Sequence, residues 1–468
     1  MTTATGHARR ISILGLGKLG ASIAAAAASK RCTVIGVDVN QRTVELLNAG
    51  RAPVVEPGLA ELLAAHRERL TATLDCRAAV LGTDITFLIV PTPSEDDGGF
   101  SLRFLERAAQ QAGQALAHKP GYHLVVVVST VLPGATRGVI LPILEHASGK
   151  RCGVDFGLCY NPTLIALGNV LHNYLNPDCV LIGESDERAG RALAAWYRGV
   201  CDNRPPVARM SFENAELTKV AINTYVTMRI SFANMLAELC ERLPGGDVDA
   251  VTAALGLDSR IGSKYLKGAL GYGGPCFPRD NRAMAYLAKR LGCRSPLPAA
   301  TDRVNQRQPA RILRALQRRL KPGGRVAIVG IAYKPHTPVI EDSQGVEIAR
   351  RVIAAGYPLL IYDALAGDEA RQALGQAVTM ATSLQEAVDG AEAVIITHDD
   401  QRTRLELEAA LAARRKPLLV VDCWRAMKRA CRDKAQIRYQ AIGMGPSEPT
   451  RRRRATTRSL ATSARRSP

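Results

Sequence analysis

Ile11 to Gly20, ISILGLGKLG, decides the fold. A short apolar strand runs into Gly15, Gly17 and Gly20 in the pattern GxGxxG, and a helix is expected from about Lys18. Glycines in this spacing permit a tight turn and a close backbone approach, so that a pyrophosphate can reach the helix N-terminus. A GxGxxG alone is weak evidence. Here a second strand follows, Thr33 to Asp38, and its final carboxylate stands about twenty residues further on, where it can accept from ribose hydroxyls. The stretch therefore reads as a dinucleotide site built on Gly15, Gly17, Lys18, Leu19, Gly20 and Asp38. NAD is favoured over NADP, because an acid at that place repels a 2′-phosphate. The other reading of Asp38 is a strand end facing water.

Outward from this stretch, a helix from Gln41 and strands at Ile85 to Val90 and Leu124 to Ser129 continue a parallel, doubly wound sheet. The run Ala24 to Ala28 reads as a helix lying close on that sheet, since alanine favours helix and takes little room. After Met210 the pattern turns helical, with a long helix from Phe212 to about Arg242 and further helices to about Leu320. Alternation resumes at Arg325, with strands at Val326 to Val329, Leu359 to Tyr362, Ala393 to Thr397 and Leu418 to Val421. The expected fold is α/β: two Rossmann-like, doubly wound parallel-sheet domains joined by a helical domain with a long central helix. Its divisions are 1–210, 211–320 and 321–445, with an Arg-rich disordered tail at 446–468. The two sheet domains echo each other, ISILGLG with VAIVGIA, TVIGVD with LLIYD and DITFLIVPTP with EAVIITHDD. Duplication and the shared preferences of buried strands both account for this.

The chain has 468 residues, 47% of them hydrophobic, and a formal net charge of +19. Part of that charge sits in the tail, where Arg451 to Arg454 form one run; the remaining body is still basic, which suits an anionic substrate or a solvated surface. The 11 cysteines are scattered, with no CxxC pair, so a zinc site or disulfide framework is not expected and a reducing cytoplasm is. MTTATGHARR has no apolar signal region, and no apolar run reaches membrane length. No metal, no membrane and no nucleic-acid partner are expected.

A second stretch carries chemistry. GYGGPCFPRD, Gly271 to Asp280, sets Cys276 on a glycine-rich loop where a helix begins, about Pro278 to Leu291. Helix N–H groups near the sulfur are expected to lower the thiol pKa. The competing reading is a buried structural cysteine beside a turn. Lys219 and Asn223, four apart on the long helix, share a face from which an ammonium and an amide can hold an oxyanion.

With these motifs in place the chain is similar, from about Arg10 to Gly445, to the UDP-glucose/GDP-mannose dehydrogenase family. The carrying motifs are GLGKLG at Gly15, VPTP at Val90, STVLPGAT at Ser129, ELTKVAINTY at Glu216, SRIGSKYLKGALGYGGPCFPRD at Ser259 and AYKPHT at Ala332. The resemblance implies oxidation of the C6 alcohol of a nucleotide sugar to a carboxylate with two NAD consumed, through a thiohemiacetal and thioester on Cys276. It further implies that Lys219 and Asn223 stabilise the oxyanion, and that Asp280 and Thr130 assist water and protons. Pro91 and Thr92, with Thr130, would shape the cofactor loop. Lys334 would meet the nucleotide part, Arg260 would reach the substrate of a neighbouring subunit in a homodimer, and Lys267, Tyr272, Gly273 and Thr163 would line the sugar nucleotide.

The chain also departs from the family. Many relatives have a glutamate where this chain has Thr163, which puts the base for thioester hydrolysis in doubt and leaves Asp280 with Thr130 to serve; slow hydrolysis is expected. Glu341 and Asp342 stand where an arginine is common, and Arg279 where a lysine is common. UDP-glucose is the favoured substrate, with UDP-N-acetylhexosamines and GDP-mannose as alternatives. The rivals are a two-electron hydroxyacid dehydrogenase, in which Cys276 and the second sheet domain have no use, and a non-catalytic nucleotide-sugar-binding protein.

Overall fold

The computed structural model describes residues 10–165, 168–432 and 434–446. From residue 447 on, the expected tail lies outside the described residues. The first sheet has eight strands: β1 (Arg10–Leu14), β2 (Thr33–Val37), β3 (Leu70–Thr73), β4 (Ile85–Leu88), β5 (His123–Val127), β6 (Phe156–Tyr160), β7 (Val180–Glu184) and β8 (Val207–Met210). Their order is β3-β2-β1-β4-β5-β6-β7-β8. The sheet is parallel as expected, with one antiparallel pair, β6 with β7, beyond the strands that were read from the sequence. Strands β1, β4 and β5 are buried on both faces apart from Arg10, as parallel strands covered by helices must be. The alanine-rich helix Lys18–Ser29 is buried from Gly20 to Ala28, since it lies between the sheet and the helices Leu59–Ala65 and Val170–Leu175.

The second sheet has six strands, all parallel: β9 (Val326–Val329), β10 (Leu359–Tyr362), β11 (Val378–Met380), β12 (Ala393–Ile396), β13 (Leu418–Asp422) and β14 (Ile437–Ala441). Their order, β11-β10-β9-β12-β13-β14, repeats the β3-β2-β1-β4-β5 half of the first sheet. The echo extends to the turns. Gly15 (φ +98°) donates its N–H to the Val37 carbonyl at 2.8 Å, and Gly330 (φ +93°) donates to Tyr362 at 2.8 Å. Leu16 N–H reaches Asp38 at 2.7 Å, and Ile331 N–H reaches Asp363 at 2.7 Å.

Between the sheets runs the helix Phe212–Cys240, 29 residues long, started by Ser211, whose hydroxyl accepts from Asn214 N–H. The helices Val248–Leu257, Phe277–Arg290 and Pro296–Gln317 follow. Arg425, on the turn after β13, ties this helical segment to the second sheet. Its guanidinium pairs with Asp249 at 2.7 and 2.8 Å and donates to the carbonyls of Gly268 (2.7 Å) and Ile442 (2.8 Å). Charge-assisted bonds of this kind contribute about 1.5–3 kcal/mol each, less where one partner is exposed, as Asp249 is. Arg425→Met is therefore expected to lower stability by about 3 kcal/mol, read as a lower urea midpoint at unchanged m-value; an unchanged midpoint would show that the tie contributes nothing.

Candidate active site

The glycine turn opens a crevice at the carboxyl ends of β1, β4 and β5, where open α/β sheets collect ligands. Two of its glycines answer to the protein itself. A Cβ on Gly15 would meet the Ile89 carbonyl, and one on Gly20 the Gly15 carbonyl. Gly17 is different: a Cβ there would meet nothing within 4 Å, and Gly17 and Lys18 are exposed while Leu19 is half-buried. No side chain caps the helix that begins at Lys18, so its first N–H groups face the crevice. Asp38 is pinned at the rim, one oxygen on Leu16 N–H (2.7 Å) and the other on Asn40 N–H (2.9 Å). These residues fit a dinucleotide: an open anion seat at a helix start, beside a carboxylate placed for ribose hydroxyls. Pro91 is exposed on the crevice wall, whereas Thr92 is buried and spends its hydroxyl on the Thr130 carbonyl at 2.7 Å. The half-buried Thr130 keeps its own hydroxyl without a hydrogen-bond partner among the described residues.

Cys276 occupies the N-cap position of the helix Phe277–Arg290, with Pro278 in the first turn. Asp280, one turn on, is wholly buried and has both oxygens engaged, one by Asn223 Nδ2 at 2.6 Å and one by Arg279 Nε at 3.1 Å. The Arg279 guanidinium in turn lies 4.6 Å from the Phe100 ring centre. Asp280 thus orients Asn223 and Arg279, and its part is positioning rather than open access to water. Lys219 is buried, with no hydrogen bond or ion pair among the described residues.

The expectation of a lowered thiol pKa is not met. Solvent reaches Cys276, yet protein crowds the sulfur closely enough that desolvation pushes the thiol above its ordinary range. Arg279 and Lys219 pull it down, Asp280 and Glu341 push it further up. Desolvation is the largest of these effects, and it decides the direction.

The second sheet domain closes on this loop. Gly274 N–H donates to the Glu341 carbonyl at 2.9 Å, a Cβ on Gly273 would run into the Asp342 carbonyl, and one on Gly274 (φ +82°) would stand 2.5 Å from the Tyr333 ring. Next to Tyr333, burial lowers the pKa of Lys334, while Glu56 and Cys276 oppose that shift; Lys334 therefore shares the electrostatic surroundings of the thiol.

Glu56 has no mark in the sequence reading. Its carboxylate accepts from Gly168 N–H (3.0 Å) and Val170 N–H (2.7 Å), and so fixes the end of the segment that carries Thr163. The signal was out of reach, because its partners lie more than a hundred residues away and use only backbone. Thr163 itself is half-buried in a small recess with Asn173, Tyr174 and Cys179.

Three residues expected to contact substrate have partners within the chain. Tyr272 is turned inward, its hydroxyl bonded to Asp302 and to Asn281 Nδ2 (3.0 Å), and it lines a cavity with Asp302 and Asn305. Lys267 pairs with Asp399 at 3.5 Å, and Arg260 is a surface side chain held by Asp258 at 2.6 Å. Neither is brought to Cys276 by its own chain.

Three family models match in order: the UDP-glucose/GDP-mannose dehydrogenase family's NAD binding domain over residues 9–201, its central domain over 213–307 and its UDP binding domain over 327–429. UDP-glucose 6-dehydrogenase AglM of Haloferax volcanii is 38% identical over 393 residues, covering 83% of this chain and 91% of that protein. GDP-mannose 6-dehydrogenase of Azotobacter vinelandii is 35% identical over 359 residues, covering 76% and 81%. The solved structure of a UDP-glucose dehydrogenase from the archaeon Pyrobaculum islandicum superposes with a TM-score of 0.84 at 35% identity, over 95% of this chain and 100% of that one. With a dinucleotide crevice, a helical centre and a second nucleotide-type sheet in the same order, the chain belongs to the UDP-glucose/GDP-mannose dehydrogenase family and is an NAD-dependent nucleotide-sugar dehydrogenase.

Proposed function

We propose that the protein oxidises C6 of UDP-glucose to the carboxylate in two steps, with Cys276 as the covalent carrier. The carrying observation is the junction at which Cys276, Lys219 and the Asn223–Asp280–Arg279 chain meet a loop of the second sheet domain. In this reading residues 1–210 hold the cofactor, 211–320 carry the catalytic groups and 321–445 hold the nucleotide part. NAD, seated over Gly17 and Asp38 with Pro91, Thr92 and Thr130 beside it, supplies the hydride acceptor for both oxidations.

The residues divide the work as follows. The C6 hydroxyl loses its proton to solvent through the polar groups around Thr130, and a hydride leaves C6 to give an aldehyde. Cys276 sulfur adds to that carbon, and Lys219 and Asn223 donate to the new oxyanion from one helix face. Loss of a second hydride leaves a thioester. Water attacks the acyl carbon, the C–S bond breaks, and the thiol and carboxylate separate. Overall one alcohol, two NAD and one water yield one carboxylate, two NADH and three protons. Lys334 holds the nucleotide part, and Thr163 offers a hydroxyl but no base for the water step.

Cys276→Ala is expected to lower kcat by at least about a thousandfold, with an NADH yield below two per sugar; full yield would remove Cys276 from the cycle. Native enzyme should give two NADH per UDP-glucose and show an acyl adduct on Cys276 by mass spectrometry during turnover, and Thr163→Glu should diminish that adduct. A yield of one NADH with a hydroxyacid would support the two-electron rival, and binding of UDP-glucose with no NAD reduction by any nucleotide sugar the non-catalytic one. Rates compared across UDP-glucose, GDP-mannose and UDP-N-acetylhexosamines decide the sugar.

Because the thiol pKa is raised, alkylation of Cys276 by iodoacetamide should rise about tenfold per pH unit from pH 7 to 9, slowly at first because little thiolate is present. Glu341→Gln should move the profile to lower pH and Lys219→Met to higher pH. A flat profile would contradict this electrostatic account.

The same reading includes a homodimer. Tyr225, Phe232, Met235 and Leu239 are exposed along the long helix at spacings of seven, three and four, an apolar stripe that a second copy can cover. Phe232→Asp is expected to give a monomer by light scattering; an unchanged mass would place the interface elsewhere. All 11 cysteines are free thiols and no helix among the described residues is long and apolar enough to cross a membrane, which supports a cytoplasmic location.

A further inference from the structure

A cavity of about 730 Å³ lies where the long helix and the helix Pro296–Gln317 end beside β14, and it shares no lining residue with the Cys276 cluster or the glycine crevice. The helix Pro296–Gln317 carries Arg307, Arg311 and Arg314, and Arg318 follows as its C-cap, a spacing that keeps all four on one face. The first two meet acids on the long helix: Arg307 pairs with Glu238 at 3.5 Å, and the buried Arg311 with Glu241 at 2.6 Å. Directly after Glu241, past the end of the long helix, stands Arg242. The pairing stops there, and Arg314 and Arg318 have no side-chain hydrogen bond or ion pair among the described residues.

The opposite wall adds to the imbalance. Lys428 and Arg432 approach from the turn before β14, Lys428 with a 3.5 Å ion pair to Asp247 and Arg432 with no partner among the described residues. Cations at helix C-termini are favourable, yet among the described residues none of these guanidinium groups donates to a helix carbonyl, so hydrogen-bonded capping does not account for them. The floor is rigid. Glu241 accepts from Arg311 and from Gly443 N–H (2.8 Å), and the Tyr439 ring is fixed by its hydroxyl bond to Asp422 at 2.9 Å. Gln440, in the same wall, leaves its side-chain carbonyl buried without a donor.

We propose that this cavity binds the phosphate chain of a di- or triphosphate of nucleotide size, at a second anion site separate from catalysis. Two acids line the cavity, Glu238 and Glu241, and both are paired with arginines, while Arg314, Arg318 and Arg432 line it unpaired among the described residues; guanidinium forks in such excess match phosphate oxygens in geometry and charge. The volume is that of a small-molecule site, and Tyr439 offers a ring surface beside it. The phosphate chain is common to inorganic polyphosphate and to nucleoside polyphosphates, and two probes separate these sources.

The test is calorimetric titration of the full chain with inorganic tripolyphosphate and, separately, with ATP. Binding of tripolyphosphate should weaken by about tenfold or more in the double variant R314A/R318A, and by a smaller factor in Arg432→Ala, which reaches the cavity from another element. NAD reduction should be unchanged in both. Lys334→Ala should leave tripolyphosphate binding intact. ATP bound more tightly than tripolyphosphate assigns a nucleotide; equal affinities assign the phosphate chain alone. Binding undiminished in R314A/R318A, or abolished by Lys334→Ala, would overturn the proposal, as would no binding of either probe.

Discussion

The structure depends on a backbone contact that leaves no room for a side chain. The loop Gly271 to Gly274 lies so close to the segment Glu341–Gln344 and to Tyr333 that a Cβ at Gly271, Gly273 or Gly274 would collide with a neighbour. Glycine is required there by space, and at Gly274 also by its positive φ. This contact sets the direction in which the next helix starts, and so where Cys276 points. It also draws the second sheet domain against the cysteine. The Cys276 thiol is thereby framed by the helical segment on one side and by Tyr333, Lys334 and Glu341 on the other.

The electrostatics follow from that closeness. Two cations and two carboxylates act on one sulfur, and desolvation exceeds each of them. Removing water from the sulfur disfavours the thiolate, and the nearby cations Arg279 and Lys219 oppose that effect. Asp280 illustrates the economy of the arrangement: fully buried and doubly bonded, it fixes Asn223 and Arg279 instead of acting alone. Glu341, brought up by the second sheet domain, acts against the thiolate.

Much of the fold was legible. Strands β1, β2, β4, β5, β9, β10, β12 and β13 were read from apolar runs bounded by turn residues, and the long helix from its start after Met210 to within two residues of its end. The missed strands are of two kinds. β3, β8 and β11 are short and partly exposed, with too few apolar residues to stand out; β6, β7 and β14 lie beyond the repeating pattern, and the antiparallel β6–β7 pair has no local signature at all. The site divided in the same way. Asp38 and the three glycines stood out because their partners are local, whereas Glu56 serves backbone groups more than a hundred residues away. Tyr272, named for its motif, proved to face Asp302 and Asn281, which no spacing along the chain connects to it.

By itself the sequence determined most element types and the dinucleotide crevice, because turn geometry, strand burial and helical spacing are set by near neighbours. Only the tertiary structure decided the state of Cys276 and the company it keeps. A thiol pKa sums desolvation with charges that lie far apart in sequence, Lys219 before it and Glu341 after it, and their balance is fixed by distances that exist only once the domains meet.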